Sequence, residues 1–187
     1  MISQRAKNGL NQWFSKALKG ALSGSQGDLC SVEAVEQNAD FFESRFVMLT
    51  SSSYLFRAFT LIHFELNAAT REHLAKLSRS DAESMSEKEF MDAICECANM
   101  CGGALNREFG SVFNHVGLST PNILGAESAH CLQSLRHGHS QHFRVDFNRA
   151  HMFHASLYVC EFEDLDFDGP QWASDHADIG GGELELF

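Results

Sequence analysis

Asp92, Glu96 and Asn99 follow one another at spacings of four and three residues, and on an α-helix that spacing stacks all three on one face. Such a stripe offers two carboxylates and an amide to whatever docks on it. A carboxylate such as Glu96 can pair with a partner's lysine. An amide both donates and accepts hydrogen bonds and does not titrate near neutral pH, so Asn99 could hold a water molecule in a fixed orientation. Gly103 falls one turn further along the same face. Polar faces of amphipathic helices are usually just solvated, so spacing alone makes this stripe a surface and nothing more. Two features point beyond that. Asn is a poor helix-interior residue because its side chain competes for backbone hydrogen bonds, and Gly102 and Gly103 each cost about 1 kcal/mol of helix stability. A pair of glycines on a helix face also lets another backbone approach closely.

The element that must carry this stripe is the best-marked helix in the chain. Ser86 and Glu89 form a capping box, and Phe90, Ile94, Cys97, Cys101 and Leu105 then supply a continuous apolar stripe on the opposite side. Upstream, Leu10, Trp13, Phe14, Ala17, Leu18 and Ala21 fall at helical spacing among Arg5, Lys7, Lys16 and Lys19, which predicts an amphipathic opening helix over 1–24 that packs on its own domain or on a partner subunit. A Gly/Ser-rich break follows at Leu22 to Gly27. Asp28 to Glu43 is acidic and reads as partly helical. Phe46 to Leu49 and Leu55 to Leu66 are rich in aromatic and branched residues and read as an antiparallel pair around Ser51-Ser52-Ser53. Asn67 is an N-cap for a short helix through Leu77. Past Gly110 the pattern is irregular through Ser119-Thr120-Pro121, and Phe143 to Phe147 and Met152 to Phe162 read as strands. From Glu163 to the last residue, 187, the chain is acidic without lysine or arginine, and Gly180-Gly181-Gly182 suggests a mobile end. The expectation is a single α+β domain, a mostly antiparallel sheet packed against helices.

The run from Asp92 to Gly103, Asp-Ala-Ile-Cys-Glu-Cys-Ala-Asn-Met-Cys-Gly-Gly, followed by Ser119-Thr120-Pro121 and Gly125, resembles the signature of the CheC/CheX/FliY phosphatases. That signature is an Asp or Ser, three residues, a Glu, two residues, an Asn, and a Pro further along. The Asn-Met-x-x-Gly continuation and the Ser-Thr-Pro turn resemble the CheX branch. The interval from Asn99 to Pro121 is one residue shorter than is usual in the family. The resemblance covers residues 28–162 and implies a CheC-like fold for that stretch, with 1–24 as an added helix and 163–187 as an acidic tail. It further implies an enzyme that hydrolyses the phospho-aspartate of a CheY-like response regulator. Glu96 and Asn99 would be catalytic, Glu96 pairing with the regulator's lysine and Asn99 orienting the attacking water. Asp92, Gly103 and Pro121 would serve the docking surface. No cofactor of its own is implied, Mg2+ being supplied by the phosphorylated regulator. A single Glu/Asn pair implies a homodimer. The other reading within the same resemblance is a non-catalytic module that sequesters a regulator or joins a flagellar switch assembly.

Composition excludes other classes. Hydrophobic residues make up 44% of the 187, enough for a substantial core in one domain. A formal net charge of -11 disfavours nucleic acid, which is bound through clustered lysine and arginine. No apolar run approaches the roughly 18 residues that would span a bilayer, and no compact apolar stretch of a secretory signal opens the chain, so the expectation is a cytoplasmic protein without membrane contact. Six cysteines, three of them on the motif helix, read as buried thiols and not as a disulfide framework. His130, His137, His139 and His142 crowd around Cys131, but the spacing matches no standard structural zinc site; these are expected to be solvated loop histidines, with no resident metal. No Gly-x-Ser-x-Gly elbow, phosphate-binding loop or dinucleotide fingerprint occurs.

Overall fold

The computed structural model describes residues 1–24, 29–36, 44–128, 131–132, 134–148 and 150–169. Among the described residues three α-helices, α1 (Gln4–Leu22), α2 (Ala68–Ser78) and α3 (Glu87–Val112), accompany seven strands: β1 (Cys30–Val35), β2 (Arg45–Ser52), β3 (Phe56–Phe64), β4 (Gly117–Leu118), β5 (Asn122–Leu124), β6 (His139–Phe147) and β7 (Ala150–Glu161). All strand pairs are antiparallel, in the order β1-β6-β7-β3-β2-β4, with β5 also on β2. The expected α+β architecture, an antiparallel sheet against helices, is what forms.

The period of two along β3 sorts its side chains between the two faces of the sheet. Phe56, Ala58, Ile62 and Phe64 turn toward the helices and join Val47 and Leu49 of β2 and Phe153, Ala155, Leu157 and Val159 of β7 in the main core. On the other face Leu61, Phe46 and Tyr158 form a second, smaller cluster under Leu124, Leu132 and Leu135. The β2–β3 hairpin is tightened where the Ser53 amide donates to the Phe56 carbonyl at 2.9 Å.

Helix α1 buries the stripe its spacing predicts, with Leu10, Trp13, Phe14, Ala17 and Leu18 all in the core. Ser3 caps it by accepting from the Ala6 amide. In α2 the Asn67 side chain accepts from Thr70, as an N-cap does, and the helix runs one residue past Leu77.

The stretches before β2 and after β7 differ from the sequence reading. Within Asp28 to Glu43 the described residues form a strand, β1, paired with β6 from Cys30↔Phe147 to Val35↔His142; residues 25–28 and 37–43 lie outside the described residues. Its Ser31, Glu33 and Ala34 are exposed, as suits an edge strand, where charge on the open side discourages further pairing. The acidic stretch after Glu163 does not leave the domain at once. Leu165 bridges Ile2, and Leu165 and Phe167, two residues apart, are 2% and 7% exposed. Phe167 stacks on Trp13 with ring centroids 4.9 Å apart and planes at 8°. Gly169 meets Gly9 so closely that a Cβ on Gly169 would stand 2.6 Å from the Gly9 Cα. Arg5 pairs with Asp166 and Asp168, holding the Asp166 carboxyl below its usual range, although ion pairs this exposed contribute little. Residues 170–187, with the glycine run, lie outside the described residues. Among the described residues no helix is long and apolar enough to cross a membrane.

Candidate functional site

The site is built on α3. Its start is fixed by the capping box: the Ser86 side chain accepts from the Glu89 amide while the Glu89 carboxylate accepts from the Ser86 amide at 2.8 Å. That exchange stabilises the first turn and holds the Glu89 carboxyl below its usual range. Phe90, Ile94, Cys97, Ala98, Cys101, Leu105 and Phe109 are buried against the sheet and α1. This fixes the rotation of the helix, and with it the direction of the opposite face. Asp92, Glu96 and Asn99 are exposed on that face, and Gly103 is half-buried in line with them. None of the three polar side chains makes a hydrogen bond or ion pair among the described residues, so they stand available to a partner.

Pro121 belongs to a different element. It lies half-buried between β4 and β5, in a loop stitched to β2 by Ser119, whose amide donates to the Thr50 carbonyl at 2.9 Å and whose Oγ accepts from the Thr50 amide at 2.9 Å. The β4 side of this loop touches α3 through Leu118 at Gly102.

The two glycines of α3 have opposite surroundings. A Cβ on Gly102 would stand 2.8 Å from Leu49 Cδ2, in the core, whereas on Gly103 it would meet only Arg107 Nη1, at 4.0 Å. Gly102→Leu is therefore expected to destabilise the fold by about 1–3 kcal/mol through overpacking, and Gly103→Ala to stabilise it by about 0.5–1 kcal/mol. Denaturant unfolding of the two variants would show opposite shifts in midpoint; shifts of the same sign would contradict this placement of α3.

The sequence reading missed two residues of the same face, Met100, 51% exposed, and Arg107, also exposed. They follow Glu96 at spacings of four and eleven, so the helical period that found the stripe extends to them. It also could not see the wall beside them. Helix α1 runs next to α3, with Lys16 Nζ 3.5 Å from Glu108 Oε1, and the two helices enclose an open cleft of about 450 Å³ lined by Trp13, Ala17, Gly20, Met100, Ala104 and Arg107 among others.

Other chemistry finds less support. Burial pushes the Cys97 thiol up to about 12, the charge of Glu96 adding to it, and raises that of Cys101 as well, so both stay protonated and serve as packing. The cysteines are all free; Cys131 is exposed and Cys30, Cys95 and Cys160 are half-buried, a wider spread than buried thiols alone. The histidines are not all solvated. His139 and His142 lie on β6, where His139 Nε2 is 2.7 Å from Asn11 Oδ1 and His142 Nδ1 2.9 Å from Ser156 Oγ. Burial lowers both rings to about 4. His130 lies outside the described residues. Among the described residues no group of three or more His, Cys, Asp or Glu is arranged to hold a metal.

No family model matches the chain, and comparison with curated proteins gives no significant relative. Solved structures do match. The crystal structure of a CheX–CheY–BeF3–Mg2+ complex from Borrelia burgdorferi superposes with a TM-score of 0.60 at 10% identity over 82% of this chain and 97% of that chain. Chemotaxis protein CheX from Vibrio vulnificus gives 0.53 at 13% identity over 82% and 96%. A chemotactic CheC-like protein from Shewanella oneidensis MR-1 gives 0.52 at 13% over 82% and 95%. At such identities the likeness is one of fold.

Proposed function

We propose that this chain, which has the CheX/CheC-like fold, is a phosphatase acting on the phospho-aspartate of a CheY-like receiver domain in chemotaxis or a related two-component pathway. The observation that carries the reading is the exposed Glu96 and Asn99 on one rotationally fixed face of α3, with no internal hydrogen-bonding or ionic partner among the described residues. It is supported by the fold shared with a CheX crystallised on CheY.

Phosphoryl transfer needs little covalent help from protein; it needs a placed nucleophile and stabilised charge. The phosphorylated receiver brings the reacting group, its Mg2+ and a lysine. What it lacks is an oriented water. The Asn99 amide accepts from and donates to that water, aligning it opposite the aspartyl oxygen that leaves. Glu96, one turn earlier, pairs with the receiver's lysine and sets the register of the helix. Asp92 and Gly103 border the contact, the glycine removing side-chain bulk where the receiver backbone comes close; the Pro121 loop bounds the same docking region from the sheet edge. A second copy of the chain completes a homodimer in this proposal, and the reaction runs in the cytoplasm, where receivers are phosphorylated.

The test is the decay of phosphorylated receiver with and without the protein. Acceleration supports the reading; binding without acceleration would make the chain a sequestering module. Glu96→Ala is expected to weaken receiver binding roughly tenfold, the loss of one charge-assisted hydrogen bond. Equal affinity of the variant and the parent in a calorimetric titration would remove Glu96 from the contact.

A further inference from the structure

Along the exposed face of α3 the charges are ordered. Two carboxylates, Asp92 and Glu96, come first, then the amide of Asn99, then the bare Gly103, then the cation of Arg107. Glu96 and Arg107 are separated by about 16 Å of helix axis. The Arg107 guanidinium leans back over Gly103, as side chains on a helix do toward the N-terminus, so its charge stands next to the Asn99 turn. It forms none of the ion pairs found among the described residues. Beside it opens the α1–α3 cleft, with Trp13, Ala17, Ala104 and the half-exposed Met100 as its apolar lining and Lys16 at its rim. Gly20, on the α1 wall, has nothing within 4 Å of where a Cβ would stand. Lys16 is paired with Glu108, which also lines the cleft, so on a chain of net charge -11 Arg107 supplies the net positive charge of an otherwise largely apolar patch continuous with the Glu96/Asn99 face.

We infer that the α1–α3 cleft is a second anchor for the receiver domain, admitting an apolar side chain that is flanked by an acid paired with Arg107, and so selects which receiver is accepted. The inference rests on the function proposed above. The ordered charges make it specific: a partner that presents its lysine to Glu96 must present an acid toward Arg107, and the reversed orientation would put like charges together at both ends. Met100 suits the apolar part because an unbranched thioether adapts to differing side chains.

The experiment titrates a BeF3−/Mg2+-loaded CheY-type receiver against the full chain and its variants, with receiver dephosphorylation followed in parallel. Arg107→Glu and Gly20→Leu, the second adding bulk to the cleft from a position whose Cβ meets nothing within 4 Å, are each expected to raise Kd and KM roughly tenfold or more, with the loss falling on KM and not on kcat. Arg107→Lys restores most of the affinity. Arg57→Glu, exposed on β3, serves as the control for net charge and leaves Kd unchanged. Unchanged Kd in both Arg107→Glu and Gly20→Leu, while Asn99→Ala still abolishes turnover, overturns this inference and leaves the phosphatase intact. Self-association that Gly20→Leu abolishes, with receiver affinity unaltered, would assign the cleft to a second copy and equally overturn it. Tight, cleft-dependent receiver binding without any acceleration of decay would uphold the anchor and remove the phosphatase.

Discussion

Asn99→Ala is expected to slow stimulated dephosphorylation by a factor on the order of 10² to 10³, the usual effect of deleting one group that acts on the transition state. Receiver affinity should survive, because Glu96 and the remainder of the face still make their contacts. Asn99 is exposed and has no hydrogen-bond partner among the described residues, and Ala is the better helix former by about 0.7 kcal/mol, so the variant should unfold no earlier than the parent. A single-turnover measurement with pre-phosphorylated receiver separates the two quantities: the decay constant falls while the concentration giving half-maximal effect stays put. Asn99→Asp should fail almost as badly, since the carboxylate keeps the acceptor, loses the donor and places a negative charge near a phosphoryl group. A decay constant unchanged in Asn99→Ala would sink the mechanism.

The largest stability effect is expected at Trp13. Its indole is 1% exposed, stacks on Phe167 and meets Phe109 of α3 edge-on at 6.0 Å and 85°. One side chain thus joins α1, α3 and the segment 163–169. Trp13→Ala should cost about 3–5 kcal/mol, combining lost burial with the cavity left behind. Trp13→Phe should cost much less than its lost volume implies, because the Trp13 Nε1 is buried with no hydrogen-bond partner among the described residues, and removing an unsatisfied donor recovers part of the penalty. Denaturant unfolding would give the totals. Hydrogen exchange at residues 163–169 would show the local part, faster in Trp13→Ala than in the parent; a loss below about 1 kcal/mol would mean that this contact does not hold the segment.

What could be read in the sequence follows the range of the forces involved. The start of helix α3 was legible because Ser86 and Glu89 cap each other within one turn, and the Glu96/Asn99 stripe was legible because helical spacing is a local property. The β2–β3 pair was legible from its aromatic and branched residues. Strand β1 was not: Glu33 sits on an edge whose open side faces water, so charge there carried no information against a strand. Acidity also hid Leu165 and Phe167, whose two-residue spacing is too short to register as a pattern yet suffices once Ile2 and Trp13 are there to receive them. The cleft was out of reach for the same reason. Its walls come from Gly20 and Met100, and nothing local to either residue names the other. His139 and His142 carry no strand signal of their own, and β6 begins at His139 through its pairing with β7.

The segment 163–169 has a consequence for the order of assembly. Arg5 and Asp166 are 161 residues apart in sequence, and the central strand β3 finds its partner β7 only after α2, α3 and β4 to β6 have been made. Contacts of such separation are slow to form, since loop closure must precede any gain from pairing. During synthesis the motif helix is complete long before residues 165–167 leave the ribosome, so the helix next to it waits for its last fastening. The wall that α1 sets beside the motif face is therefore expected to be fastened late, and a nascent chain carries the chemical groups well before it carries the shape.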